Sequence, residues 1–393
     1  MSEQHPGLLD RPIYLDYNAT TPIDPQVFAA MTPYLTVDFG NPSSSHVFGR
    51  SAHGAMDQAR SAVAALIGAA ASEIVFTGSG SEADALAIRG AVLGARAAGT
   101  DHPHVVTQVT EHPAVLAACR DLELLRDVAV TYLPVDGSGR VDPGAVESAI
   151  TPDTVLVSIM HANNETGTTQ AIADIAAVTR AHGILLHTDA AQSVGKITVD
   201  VDDLGVDLLT VVGHKMYAPK GVAALYVRTG VHLLPIVGGG GQEHGLRAGT
   251  ENVAYAVGLG RAADLAGQAL VDGTTARLAA LRDLLEQQLR ERLPGRVHLH
   301  GHPTERLPNT LNLGIDDVSA LALLADLPEV AASAGSACHA GHDDPSPVLT
   351  AMGLPRQEAL SAVRLSLGRW STSREVDDAA DAISTAVLRS PRT

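Results

Sequence analysis

Lys215 is the residue whose surroundings most invite chemistry. It follows Leu208 to Val212, LLTVV, a short apolar and partly β-branched run with the composition of a buried strand, and the step Gly213-His214. A primary amine carried to the mouth of a sheet by a rigid strand can hold an aldehyde cofactor as a Schiff base. Polar groups recur at equivalent places. Glu111-His112 follows the strand-like stretch from His104, Asn163-Asn164-Glu165 follows Val155 to Met160, and Asp189 with Gln192 follows Ile184 to His187. One site on one sheet edge explains this repetition better than a set of unrelated turn caps. A carboxylate at Asp189 suits a protonated ring nitrogen, Gln192 a ring oxygen and His112 a ring face, which together describe an aldehyde-bearing pyridine such as pyridoxal phosphate.

A phosphate needs its own cradle, and Glu73 to Ala98 supplies one: strand-like EIVFT, the turn GSGSE, then a helical composition. The first N–H groups of a helix point outward without partners and its dipole favours anions, so Gly80 and Ser81, with His214, are the expected phosphate contacts. The same GSGSEA also fits the loose turn pattern of nicotinamide-dinucleotide enzymes, which keeps a dehydrogenase open as an alternative. Against it, no acidic residue stands at the required distance on the next strand, because Glu111 comes too late.

Of the two cysteines, Cys119 lies in a stretch with helical apolar spacing and is expected to be a core thiol. Cys338 lies among small residues and turn formers, AASAGSACHAGHDDPSP, where a thiol is reachable. Cys338, His339 and His342 crowd three ligand types into five residues of one loop and are not expected to close a metal site.

These groups require a scaffold of alternating strands and helices: an α/β fold with a mostly parallel sheet covered on both faces, its ligands outside the carboxyl ends of the strands. Asp24-Pro25 opens a helix, Gly40 to Gly49 reads as a loop in which Asn41 and His46 are ligands or turn formers, and Ala55 to Gly68 reads as a helix. Gly238 to Asn252 is a second glycine-rich loop whose Arg and Thr suit an anion contact across a subunit boundary. From Asp272 the pattern changes to a long helix, Thr275 to Leu293, then short strands and helices and a closing helix from Glu375 to Leu388. The expected division is a large α/β domain at 13–265 and a smaller α+β domain at 266–393 carrying the cysteine loop, with residues 1–24 packing on the second.

The chain has 393 residues with 27 Lys plus Arg against 44 Asp plus Glu, a formal charge of −17, which argues against a nucleic-acid surface. No apolar run reaches membrane-spanning length and the first residues carry no export signal, so a cytoplasmic protein is expected.

Taken together, YLDYNATTP, GNPSSSH, TEHPAV, MHANNETG, HTDAAQSVGK, GHKMYAPKG, GTEN, SAGSAC and VRLSLGR resemble the cysteine desulfurases of the NifS/IscS type, among the fold-type I pyridoxal-phosphate enzymes. The resemblance covers about residues 13 to 375. It implies a seven-stranded, mostly parallel sheet and a homodimer with active sites at the subunit boundary, where Thr250 reaches the phosphate of the other subunit. It implies further that Asn164 contacts the cofactor, that Asn41 and Arg364 hold the substrate carboxylate, and that the Cys338 thiolate attacks the sulfur of L-cysteine. The products are alanine and a persulfide destined for a sulfur-acceptor protein. A forked cation such as Arg364 fits a carboxylate on chemical grounds too. Departures from the family pattern are Val212 where serine is frequent, Ser81 where threonine is usual and Ala85 where asparagine is usual. The CHAGH loop is similar to selenocysteine lyases and to desulfurases serving DNA phosphorothioation, so a selenocysteine lyase is the second reading.

Overall fold

The computed structural model describes residues 4–334 and 344–389. Its strands, in chain order, are β1 (Ile13–Tyr14), β2 (Ile74–Thr77), β3 (His104–Gln108), β4 (Ala129–Leu133), β5 (Thr154–Ser158), β6 (Leu185–Asp189), β7 (Leu208–Val212), β8 (Ala223–Val227), β9 (Val297–Leu299), β10 (Thr310–Ile315), β11 (Val330–Ala331), β12 (Ser333–Ala334) and β13 (Ala362–Ser366). Seven of them form one sheet in the order β2-β8-β7-β6-β5-β3-β4. Pairing is parallel from β7 through β4, while β8 runs antiparallel to both β7 and β2. Strands β2, β3, β7 and β8 are buried at every position, as a sheet covered on both faces demands, and this is why they read as continuous apolar runs.

The edge position of β2 also decides between two readings of the GSGSEA turn. A dinucleotide fold places that turn after a central parallel strand, whereas β2 pairs only with the antiparallel β8. The dehydrogenase alternative therefore falls on topology.

One face of the sheet packs on helices Val47–Leu66 and Val253–Val271 around Val63, Ile67, Val211 and Leu259; the other packs on helices Gly80–Ala97 and Pro113–Arg126 around Leu86, Ile88, Val115 and Leu225. Cys119 belongs to this second cluster, fully buried, with its thiol pushed up to about 12 by burial, as expected of a core thiol. A separate leucine-rich core joins β9, β10 and β13 to helices Thr274–Arg292 and Ser373–Arg389, and it takes in Leu15 and Ile13 from the start of the chain. Strand β1 pairs in parallel with β11, which accounts for that inclusion.

Two local expectations need correction. The helix expected at 55–68 begins at Val47, because His46 caps it by accepting a bond from Gly49 N through Nδ1. Exposed Val47 and Phe48 hide this first turn from a reading based on apolar spacing. Asp189 closes β6 as its last residue and does not stand beyond the strand.

Candidate active site

Strand β7 ends at Val212, and the chain turns through a single 3-10 turn, Gly213–Lys215. Gly213 is required there, since a Cβ would meet Val222 O at 2.8 Å. The turn aims Lys215 into a cavity of about 540 Å³ at the carboxyl edge of the sheet. Lys215 Nζ donates to the carbonyls of Asn18 (2.6 Å) and Ala19 (2.8 Å).

Around the same cavity stand Gly80, Ser81, His112, Asn164, Asp189, Gln192, His214 and Arg364. They come from separate strand ends and turns, so the fold brings together nine residues predicted from sequence, counting Lys215. Asn41 is not among them. It is exposed and makes a turn of its own, its Oδ1 accepting from Ser43 N at 2.9 Å. Thr250 is likewise exposed and outside this cavity, and Cys338 lies outside the described residues.

Electrostatics in the pocket follow from burial. The Asp189 carboxyl accepts from Ala191 N (2.9 Å), and burial raises its pKa above the usual carboxylate value against the opposing pull of His112 and Lys215. Burial lowers His112, whose Nδ1 already caps the helix Pro113–Arg126 by accepting from Ala114 N (3.2 Å). A neutral ring with its hydrogen on Nε2 follows from that bond. His214 falls to about 4 through burial and the adjacent Lys215, and its Nδ1 bonds Thr20 Oγ1 at 3.1 Å. Asp84 and Glu111, also in the wall, are pushed well above the usual range by burial, and each carries one oxygen without a hydrogen-bond partner, that of Asp84 lying 3.9 Å from His187 Nε2.

At the turn after β2, Ser79 Oγ accepts from Glu82 N (3.1 Å) and Glu82 Oε2 accepts from Gly78 N (2.9 Å). Helix geometry leaves the N–H groups of Gly80 and Ser81 without intrahelical acceptors. Gly80 faces Val212: a Cβ would lie 2.5 Å from Val212 Cγ2. Arg364, on β13, donates to Asp16 Oδ1 (2.8 Å), Ser333 Oγ (3.1 Å) and Asn164 O (3.2 Å), so its fork is already oriented.

Three contributors were not singled out from sequence. Asn18 is the hub: it donates to Asn164 O and Thr310 Oγ1, its carbonyl accepts from Lys215 and Gln192, and its Oδ1 accepts from Lys196 and Asn309. Lys196 donates to Gln192 Oε1 at 2.6 Å. Asp16 holds Arg364. Asn18 and Asp16 sit in the polar turn after β1, and only that polarity so close to a strand marked them.

A mostly parallel seven-stranded sheet with one reversed strand, helices on both faces and a lysine at its carboxyl edge is the fold-type I architecture of pyridoxal-phosphate enzymes. The aminotransferase class-V model matches residues 13–378, and the chain belongs to that family. A curated relative from Trichormus azollae, named cysteine desulfurase, is 47% identical over 369 residues, covering 93% of this chain and 90% of its own length. Among solved structures, a NifS-like protein is 34% identical with a TM-score of 0.88, covering 96% of this chain and 99% of that one. SspA in complex with cysteine is 38% identical with a TM-score of 0.80, covering 91% and 99%. Among the described residues no helix is long and apolar enough to cross a membrane.

Proposed function

We propose that this chain is a cysteine desulfurase that uses pyridoxal phosphate to convert L-cysteine to L-alanine, leaving the sulfur as a persulfide on Cys338. The observation that carries the reading is the meeting of Lys215, Asp189 and Arg364 in one cavity large enough for cofactor and substrate. The residues fit the group. Asp189 is a buried carboxyl held above its usual pKa, and a cationic ring nitrogen is the partner that would favour its ionised form. When bound, the cofactor supplies an aldehyde carbon for the substrate amine and a ring that accepts electrons.

The chain's own groups divide the remaining work. Lys215 would tether the cofactor, and the Asn18 and Ala19 carbonyls hold its amine when it is free. His112, Gln192 and Asn164 would hold the ring, with neutral His112 against its face and Gln192 toward its oxygen. Gly80, Ser81 and a neutral His214 receive the phosphate with N–H donors. Arg364, oriented by Asp16, binds the substrate carboxylate. The Cys338 thiolate then attacks the substrate sulfur: the S–S bond forms as the C–S bond breaks, the carbon keeps the electron pair, and a proton completes the methyl group of alanine. In this reading the enzyme is a homodimer in which Thr250 serves the phosphate of the other subunit and Asn41 completes the carboxylate site. The large domain spans 13–265 and the small one 266–393. The charge of −17 suits a basic sulfur-acceptor protein, with binding that weakens as salt rises.

Loading the purified protein with pyridoxal phosphate, adding L-cysteine and mapping the product by mass spectrometry tests the reading. One added sulfur on Cys338 with formation of alanine is expected, and Lys215→Ala abolishes the visible band of the loaded protein. Alanine formed from cysteine at an undiminished rate by Cys338→Ala would overturn the sulfur-transfer step.

A further inference from the structure

Gln192 is committed at both ends. Its Nε2 donates to the Asn18 carbonyl (3.0 Å), and its Oε1 accepts from Lys196 Nζ (2.6 Å), whose amine also reaches Asn18 Oδ1 (3.2 Å). An amide presents two ends of nearly equal shape and opposite polarity, so its orientation is set by its partners. Lys196 donates to the oxygen end, and the Asn18 carbonyl, which can only accept, requires the nitrogen end. Once the first N–H of Nε2 is taken by Asn18, the second is the one left for the cavity that Gln192 lines. Turned over, the amide would set its oxygen against the Asn18 carbonyl and give up the bond it now accepts from Lys196. Lys196 is four residues beyond Gln192 and lies in the segment between β6 and β7, so the bond is local while the Asn18 contact ties both to the turn after β1.

We infer that Lys196 is a positioning residue that fixes the amide polarity of Gln192, so that an N–H faces the ring oxygen of the cofactor and keeps that oxygen deprotonated. The inference rests on the pyridoxal-phosphate reading above. It does not depend on the charge of Lys196, whose pKa burial and the neighbouring Lys215 and Arg364 press well below the lysine value. A neutral amine retains two N–H groups, enough for both observed bonds. The groups facing this amine are Gln192 on its own segment, Asn18 on the turn after β1, and the cations Lys215 and Arg364; among the described residues its two hydrogen bonds go to amide oxygens and neither to a carboxylate.

The test is a pH titration of the visible absorption of the loaded protein, in wild type, Lys196→Met and Lys196→Arg, with the melting temperature of each unloaded protein measured alongside. Loss of the amine is expected to raise the midpoint of the spectral transition by about one pH unit, and arginine, which keeps the donors, to restore most of it. If Lys196→Met fails to fold, Lys196→Gln, which keeps an amide NH2 on a shorter side chain and adds an acceptor oxygen, replaces it and is expected to give an intermediate midpoint. A folded Lys196→Met or Lys196→Gln protein whose titration overlays the wild type would overturn the positioning role while leaving the cofactor assignment intact. A wild-type protein that develops no visible band, and no borohydride-fixed adduct at Lys215, overturns the cofactor reading and the inference with it.

Discussion

Gly80 and Gly241 lie in turns of similar composition and are glycine for opposite reasons. Gly80 opens the helix after β2 with no unusual φ, but a Cβ there would run into Val212. Gly241, in the loop from Gly238 to Thr250, has φ of 82°, and a Cβ added to it would meet nothing within 4 Å. The first turn needs room and the second needs a left-handed backbone. Their anchoring differs in the same sense. The turn at Gly80 is closed by bonds within five residues, whereas the loop is fastened over long range: Glu243 accepts from Arg60 at 2.7 and 2.8 Å and from Phe76 N at 2.7 Å, and Arg247 donates to Glu82 at 2.7 Å. A short, locally satisfied turn can leave its helix N–H groups for a ligand; an exposed loop must borrow its order from the body of the protein.

Removing the long-range anchor is the severest way to break this contrast. Glu243 is buried against Arg60 and β2, and Glu243→Ala leaves the Arg60 guanidinium without its counter-charge, still holding the Ile74 carbonyl, and the Phe76 N–H without its acceptor. A loss of about 3–5 kcal/mol is expected, read by urea unfolding of the unloaded protein. A loss below about 1 kcal/mol, the worth of an exposed ion pair, would mean that the loop is held by something else.

Gly80→Ala tests the other side. Its Cβ must displace Val212 or shift the helix start, with an expected cost of about 1–3 kcal/mol and a matching loss of cofactor affinity. Pairing it with Val212→Ala removes the methyl groups in the way, and most of the affinity is expected to return. Without that rescue, the turn would be sensitive to backbone conformation and not to space.

Much of the strand-end chemistry was legible because each strand is buried on both faces and its polar successor is therefore conspicuous: Lys215 after LLTVV and His112 after the β3 run are the clearest instances. The Glu243 to Arg60 bridge was not, since 183 residues separate its ends and glutamate in a polar glycine loop carries no local signal. Asn18 was hidden for the same reason, as most of its bonds reach residues more than 140 positions away. The turn at Val47 escaped because its apolar residues face outward, against the spacing a helix is recognised by. Asn41 shows the converse: its type is that of a ligand, but the single chain uses it as a turn former.

The buried interior of the sheet gives a pH test. His187, enclosed between Ser158 and Thr210, has its pKa lowered to about 3 by burial. Its folded value lies below the unfolded one, so between these the unfolded chain binds the extra proton and stability rises with pH. Asp84, Glu111 and Asp189, all raised, bind protons in the folded state and oppose this trend, so the total slope mixes both. A difference removes the histidine together with its effect on Asp84, whose Oδ1 lies 3.9 Å from Nε2. His187→Asn is expected to flatten the dependence of unfolding free energy on pH by about 1.4 kcal/mol per unit near pH 5, whatever it does to the absolute stability. An unchanged slope would mean that His187 is protonated in the fold.

Gly241→Ala carries the smallest effect and sharpens the comparison most. A methyl group at that position meets open space, so any cost comes from holding an L-residue at φ of 82°, about 1 kcal/mol. The same change made at Gly80 adds the identical methyl group without the conformational strain. Cofactor affinity should therefore separate the two: Gly241→Ala is expected to lower the melting temperature slightly and leave affinity at the wild-type value, while Gly80→Ala lowers both. If Gly241→Ala also weakened binding, the glycine-rich loop would be shaping the turn at Gly80 through Arg247 and Glu82, and the two turns would have to be treated as one unit.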